Sequence, residues 1–281
     1  MVINHNLAAL NALHHYMSFQ KQSCAIVERL SSGLRINRAA DDPAGFAISE
    51  RMKAQIRGLH QAQRNAQDAI SLVQTMEGGV NEIVSILQRM RELSVKAANG
   101  ALSDNDRQAI QEEIDQLREG INDIANHTQF NGIGLLNRDG SADHGGSATA
   151  KNKLYFQVGA NEGNTFRVDL LDVRAKTLGV TGIDVSTREN AGKAISKIDD
   201  ILDAAISQRS SLGAYQNSLE RIGENAANAE LNLTAAVSRI CDVDIAAEMM
   251  QLAKINILIQ TSLAILAKAN QRAKDVLKLL P

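Results

Sequence analysis

The sequence predicts a mainly α fold, a long antiparallel helical bundle or coiled coil with a small β-hairpin region. Three observations predict it. Apolar residues recur at alternating steps of four and three between residues 48 and 97, the spacing of a heptad seam. Proline occurs only at Pro43 and Pro281 among 281 residues, so almost nothing interrupts a long helix. Nine of the 19 glycines fall between residues 131 and 190, where the heptads stop and turn chemistry takes over.

The chain opens with a heptad pattern. Ile3, Leu10, Met17 and Cys24 form one series, and Leu13, Val27 and Leu34 the companion series, with Gln20 as its polar break. Asp41-Asp42-Pro43 then offers carboxylates to unpaired amide hydrogens and sets proline in a first helical turn, so a boundary is expected near residue 41. The seam that follows runs Ile48, Met52, Leu59, Ala62, Ala66, Ala69, Val73, Met76, Val80, Ile83, Leu87, Met90 and Ala97. Gln55 and Ser94 are its polar members, and Gly78-Gly79 lies off it, where it should weaken or bend the helix without ending it. At 1.5 Å per residue this rod is roughly 75 Å long.

A second long helix is expected from Ser103, with Asp106 completing a variant capping box and Ile110, Ile114, Leu117, Ile121 and Ile124 as its stripe. In the glycine-rich centre, Leu154, Phe156 and Val158 alternate with polar residues, Asn161-Glu162-Gly163-Asn164 turns, and Phe166, Val168 and Leu170 alternate again. This is the β-hairpin. The segment Gly140 to Asn152 reads as a solvated loop. A third helix is expected from Ser186, capped with Glu189, along a seam of Leu212, Tyr215, Leu219, Ile222, Ala226, Ala229, Leu233, Ala236 and Ile240.

The C-terminus repeats the pattern of the N-terminus. Ile245, Leu252, Ile259, Leu266, Ala273 and Leu280 face Met249, Leu263 and Leu277, with Asn256 and Asn270 as polar breaks. Two terminal seams of similar length pair most economically as antiparallel helices. Ile255, Ile257, Leu258 and Ile259 nevertheless point around most of the circumference, and a two-helix pair leaves much of that surface wet. Neighbours from other chains are therefore expected on Leu10, Leu13, Met17, Val27, Leu34, Ile245, Met249, Leu252, Ile259, Leu263, Leu266 and Leu277. The organisation reads as 1–40 (an N-terminal helix), 41–185 (two long helices and the hairpin region), 186–240 (a third long helix) and 241–281 (a C-terminal helix).

Composition narrows the function. With 30 Lys and Arg against 32 Asp and Glu, nothing drives the whole chain toward nucleic acid or acidic lipid. Eight Phe and Tyr and no Trp make a large aromatic ligand pocket improbable. Cys24 and Cys241 lack the spacing of a zinc or redox pair, and with Leu34 facing Ile245 they stand roughly 20 Å apart along the helices, so free thiols are expected. None of the six histidines sits in a zinc-protease pattern, and no phosphate-cradling glycine loop is present. The acidic pairs Glu112-Glu113, Asp199-Asp200 and Asp242/Asp244 read as solvated faces or helix caps. No catalytic residue, cofactor or metal is expected. No run approaches about 18 consecutive apolar residues, so membrane insertion is not expected, and the first residues lack the basic and apolar regions of a secretory signal.

Residues 28–53, Glu-Arg-Leu-Ser-Ser-Gly-Leu-Arg-Ile-Asn-Arg-Ala-Ala-Asp-Asp-Pro-Ala-Gly-Phe-Ala-Ile-Ser-Glu-Arg-Met-Lys, closely resemble the N-terminal signature of bacterial flagellins. The likeness continues through Arg64–Asp68, Leu87–Leu93 and Thr128–Gly132, and resumes in Ala226–Arg239 and Glu248-Met249-Met250. It implies a flagellar filament subunit whose termini form an inner coiled-coil core inside a spoke of long helices plus hairpin, in a short form without large outer domains. It also implies export unfolded through the flagellar type III channel without a cleaved signal, and an extracellular product. The implied partners are sister subunits in a homopolymer, an export chaperone, the filament cap, hook-junction proteins and a host Toll-like receptor. The receptor patch of the family matches Gln88, Arg89, Leu93 and Glu113 here, while Lys96 stands where glutamine is frequent. A hook–filament junction protein shares the terminal plan and is the nearest alternative; a displayed enzyme and a pore-forming translocator fit less well.

Overall fold

The computed structural model describes residues 5–137 and 153–277. Ile3, Leu280, His144 and the expected loop Gly140–Asn152 lie outside the described residues, as do the side chains of Ala273 and Leu277. Among the described residues six α-helices, α1 (Leu7–Ser32), α2 (Pro43–Ala97), α3 (Asp104–His127), α4 (Ala175–Leu178), α5 (Arg188–Cys241) and α6 (Ile245–Leu277), accompany four short strands. The strands form two antiparallel pairs, β1 (Gln129–Phe130) with β2 (Ile133–Gly134), and β3 (Lys153–Gln157) with β4 (Thr165–Asp169). The chain divides into two compact units, residues 56–230 and the combination of residues 1–55 with 231–281.

In the first unit the expected α2 seam is the core. Ala62, Ala66, Ala69, Val73, Met76, Val80, Ile83, Leu87, Met90 and Ala97 are all buried, together with Ser94, whose hydroxyl donates to the Met90 carbonyl at 2.9 Å. Ile110, Ile114 and Ile121 of α3 and Ile198, Leu212 and Leu219 of α5 close on that seam. The capping box of α3 forms as its sequence predicts: the Asp106 amide donates to Ser103 Oγ at 3.3 Å, and the Ser103 amide to Asp106 Oδ2 at 3.1 Å. α2 passes through Gly78-Gly79 unbroken, and the second glycine has a packing reason. A Cβ at Gly79 falls 2.5 Å from Leu136 Cδ1 and 3.0 Å from Thr128 Oγ1.

The expected β3–β4 hairpin forms, with Leu154 opposite Val168 and Phe156 opposite Phe166. Its inward face docks on α5, where Phe166 meets the Tyr215 ring edge-on at 5.9 Å and the Tyr215 hydroxyl donates to Asp169 Oδ2 at 3.3 Å. Sequence periodicity misses β1–β2. Two residues per strand are too few to show alternation, but Asn131 (φ 50) and Gly132 (φ 78) between them supply the two left-handed residues of a tight hairpin turn. The segment 173–185 is held by amide side chains of α3: Asn122 accepts from the Ala175 amide at 3.0 Å and Gln111 from the Val185 amide at 2.8 Å.

Two helix starts differ in detail from expectation. Asp42 caps α2, accepting from the Gly45 amide at 3.0 Å, whereas Asp41 turns back to the Asn37 and Arg38 amides and closes the preceding turn. Those two amides hold the Asp41 carboxyl below the usual carboxylate range. At α5 the expected Ser186–Glu189 box does not form. Asp184 takes the Ser186 amide at 2.9 Å, which shifts the start by one residue, and Thr187 Oγ1 accepts from the Asn190 amide at 3.3 Å instead.

Candidate interaction surfaces

The second unit is built on the antiparallel pair of α1 and α6. Asn6 caps α1 and its amide also donates to the Ala269 carbonyl at 3.1 Å, while Arg29 meets Glu248 at 3.3 Å near the opposite end. A main-chain clasp joins the helix ends below. Leu34 bridges Asp242, the Arg35 amide donates to the Cys241 carbonyl at 2.6 Å, and the Val243 amide to the Gly33 carbonyl at 3.1 Å. Asp244 then caps α6, accepting from the Ala246 and Ala247 amides at 3.0 and 3.2 Å. These bonds fix direction and register before any apolar contact is considered.

The pairing stripe is not the expected one. On α1 the covered residues are Ala9, Ala12, Tyr16, Phe19, Ser23, Ile26 and Leu30, again at steps of three and four, but displaced by one residue from the predicted seam. One residue is about 100° of rotation. On α6 the covered stripe is Glu248, Leu252, Ile255, Ile259, Ser262, Leu266 and Ala269, which keeps one predicted column and replaces the other. Leu252, Ile259 and Leu266 are therefore partly spent within the chain, and Leu34 is half-covered by the clasp. Leu10, Leu13, Met17, Val27, Ile245, Met249 and Leu263 remain exposed, as do Leu7, Met250, Ile257 and Ile265. The expectation that a two-helix pair leaves apolar surface in water holds.

The signal that identifies the true stripe is weak in a hydropathy reading. Ala9, Ala12, Ser23, Ser262 and Ala269 are small, and Glu248 is charged. Glu248 is buried to 8% exposure and is compensated by Arg29, so a column containing an acid still faces inward. A second expectation also needs correction. By length and composition, Ile245–Arg272 of α6 is one helix apolar enough to cross a membrane, although charged and amide residues break its consecutive apolar runs.

The predicted receptor patch separates into two kinds of residue. Arg89 of α2 donates to Glu113 of α3 through Nε at 3.2 Å and Nη2 at 2.9 Å, and through Nη1 to Glu92 at 3.2 Å. The hydrogen bonds that Arg89 donates to Glu113 and Glu92 hold the guanidinium above its ordinary value. Gln88, Arg89 and Glu113 share an exposed surface. Leu93 does not join them: at 2% exposure it lies in the core, because it falls beside Met90 and Ala97 on the inward side of α2. Arg91 pairs with Asp199 of α5 at 2.5 Å, so the first member of the Asp199-Asp200 pair lies on an ion-paired helix face.

Cys24 is exposed, Cys241 is buried, and both thiols are free. Among the described residues no three His, Cys, Asp or Glu side chains group to hold a metal ion.

Paired terminal helices with exposed apolar faces, in a chain that also holds a well-packed helical unit, define a class of mainly helical protein. The chain belongs to the bacterial flagellin family. The family model for the bacterial flagellin N-terminal helical region matches residues 3–141, and that for the C-terminal helical region matches residues 195–280. Flagellin of Halalkalibacterium halodurans is 49% identical and flagellin of Bacillus subtilis 45% identical, each alignment covering 100% of both chains. The short centre is therefore shared with full-length relatives. The crystal structure of Bacillus cereus flagellin superposes with a TM-score of 0.50 at 30% identity, covering 58% of this chain and 88% of that one. A putative flagellar hook-associated protein from Vibrio parahaemolyticus shares the fold, with a TM-score of 0.59 at 16% identity over 72% of this chain and 100% of that one.

Proposed function

We propose that this chain is a structural subunit that polymerises into the flagellar filament, with the α1–α6 pair as its assembly element. One observation carries the mechanism: the pair buries a single stripe on each helix and leaves Leu10, Leu13, Met17, Val27, Ile245, Met249 and Leu263 in water. Full burial of a leucine or methionine is worth about 1.5–3 kcal/mol. Several such side chains per subunit, shared with neighbouring copies, supply the drive that an isolated pair lacks. Leu34, Leu252, Ile259 and Leu266, partly covered within the chain, contribute only the area they still expose.

The finer reading follows the family. The subunit is exported unfolded by the flagellar type III system without a cleaved signal, meets an export chaperone, and assembles outside the cell beneath a cap, next to hook-junction proteins. Residues 1–40 and 241–281 form the inner core, and 41–185 with 186–240 the spoke. Gln88, Arg89 and Glu113 are the accessible part of a surface for a host Toll-like receptor. A role at the hook–filament junction has less support, since the curated relatives aligned over their full length are flagellins.

Leu263→Glu tests the mechanism. Buried among sister subunits, a carboxylate costs several kcal/mol at every contact, whereas in the monomer Leu263 is already exposed. The expected result is no filaments by electron microscopy with unchanged helical content by circular dichroism. Normal filaments from this variant overturn the reading.

A further inference from the structure

Asparagine precedes glycine at two places in the chain, Asn99-Gly100 and Asn131-Gly132. In this dipeptide no side chain shields the glycine nitrogen, and the backbone turns freely toward the asparagine side chain before it. The fold sets the two pairs in unlike surroundings. Asn131 lies in the turn of the β1–β2 hairpin, with φ 50, between the paired residues Phe130 and Ile133. Among the described residues its side-chain amide and main-chain carbonyl meet no hydrogen-bonding partner. Asn99 is exposed in the connection between α2 and α3, and both of its carbonyls are engaged. Oδ1 accepts from the Ala101 amide at 3.1 Å. The main-chain oxygen accepts from Arg107 Nη2 at 3.1 Å and from the Leu102 amide at 3.5 Å.

Arg107 is held for that contact. It is 7% exposed, its Nε donates to the Ala97 carbonyl at 3.1 Å and its Nη1 to Asp104 at 2.9 Å, so the remaining arm has a fixed direction. Among the described residues no acceptor takes the Gly100 amide proton. These are the contacts that a ring closure between Gly100 N and Asn99 Cγ needs. A guanidinium on the Asn99 main-chain oxygen draws electrons from the peptide bond that ends in Gly100 N, and so stabilises the charge left when hydroxide removes the proton there. The Ala101 amide polarises the side-chain carbonyl and faces the oxygen on which charge develops as the nitrogen adds to Cγ.

We infer that Asn99 is a self-modification site, at which the folded chain promotes deamidation of its own side chain. The Gly100 nitrogen, having given its proton to hydroxide, bonds to Asn99 Cγ; the Cγ–Nδ2 bond breaks, and Nδ2 leaves as ammonia with a proton from water. The five-membered succinimide then takes up one water. Addition at Cγ gives aspartate. Addition at the former main-chain carbonyl gives isoaspartate, whose new carboxylate forms where Arg107 Nη2 already stands, so isoaspartate is the main product. Each reacted chain gains one negative charge and one extra main-chain carbon just ahead of the Ser103–Asp106 capping box. Water is the one co-reactant.

The test incubates the full-length chain in mildly alkaline buffer, native or in concentrated guanidinium, and follows the tryptic peptides that hold Asn99 and Asn131 by mass spectrometry against a zero-time sample. In the native chain Asn99 should convert at least about tenfold faster than Asn131, the effect of one charge-assisted hydrogen bond on a barrier. The two rates should converge in guanidinium. At Gly100 a Cβ meets nothing within 4 Å and φ lies outside the left-handed region, so Gly100→Ala keeps the loop and should slow Asn99 at least about tenfold. Arg107→Gln should also slow Asn99 and leave Asn131 unchanged, whereas a loop merely loosened by loss of Arg107 reacts faster. Enzymatic methylation of isoaspartyl carboxylates should label the aged native chain. Equal native rates at the two asparagines, a preference for Asn99 that persists in guanidinium, an unslowed Gly100→Ala or Arg107→Gln, or aspartate as the main product overturns the inference.

Discussion

Gly78 and Gly79 stand side by side in α2, and alanine at the two positions should act in opposite directions. A Cβ at Gly78 meets nothing within 4 Å. Glycine inside a helix costs about 0.5–1 kcal/mol relative to alanine, so Gly78→Ala should stabilise by that amount. At Gly79 the same gain in propensity competes with contacts of 2.5 Å to Leu136 Cδ1, 3.0 Å to Thr128 Oγ1 and 3.3 Å to Thr128 Cγ2. Neither neighbour retreats easily. Leu136 is fully buried, and Thr128 Oγ1 donates to the Ile124 carbonyl at 2.7 Å. Overpacking of this kind costs about 1–3 kcal/mol, so Gly79→Ala should lose about 1 kcal/mol net. For a unit of this size, 1 kcal/mol moves the thermal midpoint by about 2–4 °C. Far-ultraviolet circular dichroism of the full chain on heating should show a higher midpoint for Gly78→Ala and a lower one for Gly79→Ala. Shifts of the same sign would refute the packing argument.

Other perturbations read other parts of the structure. Burial first, and then the neighbouring Asp169 carboxylate, push the Tyr215 hydroxyl above its usual value. A raised folded-state value favours the native state while the phenol is neutral and is lost as pH climbs past about 10. Tyr215→Phe should remove that alkaline loss of stability while keeping the edge-on contact to Phe166, and a pH series of urea midpoints shows whether it does. Asp184 titrates below the usual carboxylate range, chiefly because the Ser186 amide donates to it. Its contribution is complete above about pH 4 and fades as pH falls further, so Asp184→Asn should flatten the acid side of the same series. Alkylation of the native monomer without reductant should label exposed Cys24 quickly and buried Cys241 only after unfolding; two rapid adducts, or none, contradict the thiol assignment.

How far these features can be read from sequence depends on which partner a stripe serves. The α2 seam from Ala62 to Ala97 is legible because its neighbours, α3 and α5, lie in the same chain and every column but that of Ser94 is apolar. The β3–β4 hairpin is legible for a similar reason, since five residues per strand suffice to show alternation. β1–β2 and the Thr187 cap are set by one or two residues each, below the length at which a period exists. Leu93 is buried although the likeness groups it with Gln88, Arg89 and Glu113, because a likeness of sequence carries a residue's position along a helix but not its burial.

The terminal helices show a more general limit. Leu10, Leu13, Met17, Met249 and Leu263 form clear columns in the sequence, yet the chain pairs through a mixed stripe in which Tyr16, Phe19, Ile26, Leu252, Ile255 and Ile259 alternate with Ala9, Ala12, Ser23, Ser262 and Ala269, beside an Arg29–Glu248 ion pair. Small side chains let two helix backbones approach, and hydrogen bonds from Asn6 and the clasp set the register without a strong hydropathy signal. On the assembly proposed above, the columns of Leu10, Leu13, Met17, Met249 and Leu263 are the surface for sister subunits, and on α1 the intrachain pairing lies one residue away from its predicted seam.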